Sequence, residues 1–128
     1  MRKPLLIVVL VLAAGLGALF LLRSRPDHHG HPFREVPEVA LQALLDKPGD
    51  HLRKDVRVKG KIVRQCPTAG CWFFLKASDG RELKVEAGDT LPELPQRVGK
   101  TAVLEGQLIP FGAGYEFIGT AVEFQQEK

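Results

Sequence analysis

Tryptophan, tyrosine and methionine occur once each in this 128-residue chain, and cysteine occurs only twice. With Met1 the sole methionine, a thioether-rich metal site is excluded. The sequence also has no glycine-rich phosphate loop, no Ser-His-Asp order and no carboxylate pair in an obvious cleft. The two thiols are spaced Cys-x4-Cys rather than the Cys-x2-Cys of thioredoxin-like enzymes. Together these absences predict a protein that is not an enzyme.

An excess of positive charge is also missing where it would matter. The chain carries 18 basic and 15 acidic residues, but Arg2, Lys3, Arg23 and Arg25 flank one apolar segment. From Pro26 onward 14 basic residues face 15 acidic ones, a net charge of −1. Nucleic-acid binders need an electropositive footprint to neutralise phosphates. The stripe Arg57, Lys59, Lys61 reads as a wetted strand face, and no nucleic-acid partner is expected.

The apolar segment runs uncharged from Pro4 to Leu22. At about 1.5 Å per residue it spans roughly 28 Å, close to a bilayer's hydrocarbon thickness. Small-x-small triplets lie inside this run and none closes it; no lipobox cysteine follows. Residues 1–23 are therefore expected to be an N-terminal single-pass membrane anchor, embedded through residues 4–22, with a signal segment as the alternative. Residues 24–35, with Pro26, Gly30, Pro32, His28, His29 and His31, read as a linker. The three histidines could hold a divalent metal weakly, and a solvated linker that happens to be His-rich explains them as well.

Residues 36–128 read as one small domain. Pro37 at a first helical position, Glu38 after it and the stop Pro48-Gly49 predict a helix over 37–46. Val56, Val58 and Ile62 alternate with Arg57, Lys59 and Lys61, the pattern of a half-buried strand. Further strands are predicted near 71–77, 81–87, 101–109 and 115–124, after a first near 55–65. The fold class is thus mainly β: a five-stranded OB-type barrel with one N-terminal helix, preceded by a transmembrane anchor.

The segment Lys54-Asp55-Val56-Arg57-Val58-Lys59-Gly60-Lys61-Ile62, then Cys66-Pro67-Thr68-Ala69-Gly70-Cys71-Trp72, Asp79-Gly80 and Val98-Gly99-Lys100 leading to Val103-Leu104-Glu105-Gly106, resembles small exported bacterial OB-fold domains of unassigned function. Many of these carry a Cys-x4-Cys-Trp hairpin. Arg53 departs from the glycine common before their first strand. The resemblance implies a bacterial inner-membrane protein whose domain faces the periplasm or cell exterior.

Turn residues between the thiols predict a hairpin tip that brings Cys66 and Cys71 within bonding range. Two readings stand open. Paired thiolates select soft ions such as Cu(I), and Trp72 would cap the ion through its ring face. Alternatively, Cys66 and Cys71 form a structural disulfide, worth about 2 kcal/mol for so short a loop, in a module that recruits a protein partner in the periplasm.

Overall fold

The computed structural model describes residues 3–23, 26–68 and 71–125. Arg2, Ser24 and Arg25 of the expected anchor flanks and linker, and Ala69 and Gly70 of the cysteine tip, lie outside the described residues. Helix α1 covers Lys3–Arg23. Among the described residues, no helix is long and apolar enough to cross a membrane.

Five strands close into a barrel: β2 (Val56–Gln65), β3 (Trp72–Lys76), β4 (Glu82–Glu86), β5 (Thr101–Phe111) and β6 (Gly114–Phe124). β2, β3 and β4 pair in antiparallel sequence, β2 also pairs with β5, and β5 with β6. A short parallel pairing of β4 with β6, Val85 opposite Phe117, completes the ring. This closed mainly-β architecture with one helix beside it is consistent with an OB-type fold.

Alternation places the core as the sequence predicts. Val56, Val58 and Ile62 from β2, Phe73 and Leu75 from β3, and Leu104 and Leu108 from β5 all point inward and are buried. Gly60, on the same inward parity, leaves room for helix α2 (Leu41–Asp46): a Cβ there would lie 2.9 Å from Leu41 Cδ2 and 3.1 Å from Leu75 Cβ. Arg53 adopts φ 59, and its N–H donates to the Leu108 carbonyl.

Two segments differ from expectation. α2 begins at Leu41, not Pro37, and ends at Asp46, followed by a 3-10 turn over Pro48–His51. The reason is a competing set of backbone bonds. Val39 N–H donates to the Arg57 carbonyl and Arg57 N–H donates to the Pro37 carbonyl, each at 2.9 Å. Those bonds hold Pro37–Val39 extended beside β2, so the helix cannot start there.

The second difference lies in the expected linker. Asp27–Gly30 forms an added strand, β1, antiparallel to the end of β6. Gly30 has φ 92, and a Cβ there would lie 2.6 Å from Leu91 Cδ2 and 2.9 Å from the Ala121 Cα. Only glycine suits this crossing. Downstream, Arg34 N–H donates to Glu105 Oε1 at 2.6 Å and Arg57 Nη2 donates to the Arg34 carbonyl at 2.5 Å. Residues 27–34 thus belong to the barrel wall and leave residues 24–26 between it and α1.

Candidate functional site

The two cysteines sit where the β2–β3 ladder ends. The last register pair is Gln65 with Phe73, and one more backbone bond, Cys66 N–H to the Trp72 carbonyl at 2.9 Å, closes the base of the tip. Ala87 N–H donates to the Cys71 carbonyl at 2.8 Å, fixing the second thiol to the end of β4. A Cβ on neighbouring Gly88 would lie 3.3 Å from Cys71 Cβ, so the chain passes closely there.

Side chains from the loop before β5 hold the other flank. Gln96 Nε2 donates to the Cys66 carbonyl at 2.7 Å. The buried Gln65 uses both ends of its amide: Nε2 donates to the Pro95 carbonyl, and Oε1 accepts from Arg97 N–H, each at 2.8 Å. Such amide clamps fix Cys66 without any covalent link.

Within this frame Cys71 Sγ donates to Cys66 Sγ at 2.8 Å. The sulfurs are not joined. Thr68 Oγ1 lies 3.5 Å from Cys66 Sγ. Cys66 is buried and Cys71 half-buried. The hydrogen bond to Cys66, with lesser help from burial, the Cys66 charge and Glu86, raises the Cys71 pKa above its usual 9.0. The raised pKa keeps the Cys71 thiol protonated to higher pH than a free cysteine.

Trp72 follows directly but faces outward. Phe73 is inside the barrel, while the Trp72 and Phe74 rings meet edge to face on the outer surface, 5.7 Å apart. The Arg64 guanidinium lies over the Phe74 ring at 4.1 Å. Trp72 is next to the thiols in sequence, and its described ring contact is with Phe74. Among the described residues, no group of three or more His, Cys, Asp or Glu side chains is placed to hold a metal. The hairpin offers two sulfurs, a donor set suited to a low-coordinate soft ion rather than to tetrahedral zinc.

The histidines of the N-terminal segment are spread along the barrel wall. His28 Nδ1 lies 3.4 Å from Glu123, His29 Nε2 lies 2.9 Å from Asp27, and His31 Nε2 lies 3.0 Å from Thr120 Oγ1. Burial alone would raise the Asp27 carboxyl, but hydrogen bonds from Arg97 and His29 outweigh it and hold Asp27 below its usual 3.8.

One polar cluster carried no sequence signal. Glu105 is fully buried on the outer face of β5, opposite Arg57 in register, beneath residues 33–34. Its Oε1 accepts from Arg57 Nη2 at 2.9 Å and from Arg34 N–H. Arg57 in turn lies 4.8 Å over the Phe33 ring, and the hydrogen bond to Glu105 raises its pKa further. These contacts fasten the N-terminal segment to β2 and β5. The cover of Glu105 comes from some 70 residues away in sequence.

Fold and site together define a small closed β-barrel that presents two contacting thiols at a hairpin tip. No family model matches the chain. Over 75 residues, 59% of this chain, it is 32% identical to the ubiquitinating enzyme SidE of Legionella pneumophila. That match covers 4% of SidE.

Proposed function

We propose that this chain is a membrane-tethered, extracytoplasmic OB-type binding domain that captures or transfers a soft metal ion such as Cu(I) through Cys66 and Cys71. The observation that carries this reading is the convergence of the two sulfurs at 2.8 Å in a clamped frame. Uptake of the ion needs the sulfurs to part slightly and the thiol protons of both Cys66 and Cys71 to leave to solvent, since the thiolate is the ligand. Gln65 and Gln96 keep Cys66 in place meanwhile. The proposal assigns no catalysis to the domain and no nucleic-acid partner.

The same contact favours a second reading. Two sulfurs this close form a disulfide readily in an oxidising compartment, and the domain is then a stapled module recruiting a periplasmic protein. Thiol titration of protein taken directly from its native membranes separates the two. Metal capture predicts two reactive thiols after removal of bound ion by a chelator. No reactive thiols before or after chelation would favour the staple.

A further inference from the structure

The described chain leaves little slack between anchor and barrel. α1 ends at Arg23 and β1 begins at Asp27. Four residue steps reach at most about 14 Å. If α1 is the membrane anchor, the wall of the barrel next to Asp27 is held at the headgroup layer, which is itself roughly 5–7 Å deep.

That wall is basic. Asp27 pairs with Phe124, Phe124 with Ala102, and Ala102 with Gly60, one continuous row across four strands. One step further, Lys61 stands opposite both Thr101 and Lys76. Ile62 N–H donates to the Lys100 carbonyl at 2.9 Å, which sets Lys100 beside the same row. Lys59, Lys61 and Lys76 are exposed, and Val98, between Arg97 and Lys100, is 55% exposed. Among the described residues, Lys59, Lys61, Lys76 and Lys100 enter no ion pair. Acids on neighbouring strands and turns have other partners: Asp27 pairs with Arg97, Glu82 with Arg64, Glu123 with His28, and Asp46 and Asp79 with Arg81. In a domain of net charge −1, four lysines without acidic partners gather where the tether enters.

We propose that this face, Lys59, Lys61, Lys76 and Lys100 with Val98, docks on the anionic headgroups of the phospholipid bilayer that holds α1. The inference rests on the membrane-anchor reading and extends it. The lysines neutralise headgroup phosphates and Val98 enters the interface between them. Docking fixes the orientation of the barrel on the membrane, which a flexible tether would not.

The test uses the full chain reconstituted in vesicles and a membrane-impermeant amine reagent, with labelling read lysine by lysine. Flotation with vesicles of phosphatidylcholine alone reads the anchor. Docking predicts that, when about a quarter of the lipid is phosphatidylglycerol, these four lysines label about fivefold more slowly than in phosphatidylcholine alone. Lys54, about 20 Å back along the β2 direction, should keep its rate. The protection should vanish in about 0.5 M salt, where screening shortens the reach of surface charge to a few ångströms. Protein that floats but shows equal labelling in both vesicles overturns the docking alone, and leaves the lysine face for an acidic protein. Protein that fails to float with phosphatidylcholine overturns the anchor and the docking together.

Discussion

The barrel contains two hairpins built from similar strands and finished in opposite ways. β5 and β6 pair from Ala102–Phe124 to Phe111–Gly114 with one register shift at Glu105/Gly106, and the turn is only Gly112 and Ala113, with Gly112 at φ 58. The β2–β3 ladder instead stops at Gln65–Phe73 and opens a tip that carries both thiols. One hairpin uses its backbone to close the barrel. The other gives up ladder pairing at its end, where the Gln65 amide of β2 and the Gln96 amide of a distant loop hold it instead. A continuous ladder holds the fold, while the end of the other hairpin is held by side chains and brings two sulfurs together.

The sharpest way to break this contrast is to disturb the closed hairpin. A Cβ on Gly106 would run into the Ile118 carbonyl oxygen, a backbone atom that cannot rotate away. Gly106→Ala should therefore cost about 3 kcal/mol in a denaturant titration. A variant as stable as the parent would remove β5–β6 as the frame. At the open tip, Gln65→Ala strips partners from the Pro95 carbonyl and the Arg97 N–H. About 2 kcal/mol should be lost, together with Cu(I) affinity. A change in stability with affinity untouched would show that the clamp does not position Cys66.

Acidity gives a third, smaller test. Because the folded-state pKa of Cys71 lies above 9.0, its contribution to stability is full below pH 9 and is lost as pH rises through the higher folded value. Metal capture runs the other way, since the ion replaces that proton. Cu(I) affinity should climb by up to about tenfold per pH unit between pH 6 and 8, roughly, for each thiol proton that leaves. A flat profile would mean that Cys71 is not a ligand. The smallest effect belongs to Trp72→Ala, about 1 kcal/mol of Cu(I) affinity, because the ring faces outward with Phe74. Unchanged affinity would make Trp72 a surface residue with no part in the site.

Much of the barrel was legible because alternation is a local signal. Val56, Val58 and Ile62 marked the inner face of β2, and the predicted bounds of β2 to β6 fall within two residues of those observed. The start of α2 was not legible. Pro37 and Glu38 carry a helix-start signature, but the backbone bonds to Arg57 that override it depend on a strand some 20 residues away. β1 was hidden for a related reason: Asp27–Gly30 has no apolar alternation, and it is a strand because β6 offers a free edge. Within the site, the meeting of the thiols followed from turn residues. Gln65 and Gln96 gave no sign, since a glutamine becomes a clamp only when the fold buries it beside carbonyls.

The central claim is that Cys66 and Cys71 act as a pair of ligands. Its most direct test is Cu(I) stoichiometry of the reduced full chain, measured by competition with a chromogenic Cu(I) chelator. One ion per chain is predicted, lost in Cys66→Ser and in Cys71→Ser while both variants keep their fold. No uptake by the reduced chain, together with lowered stability of both serine variants under oxidising conditions, would contradict metal capture and leave the disulfide staple.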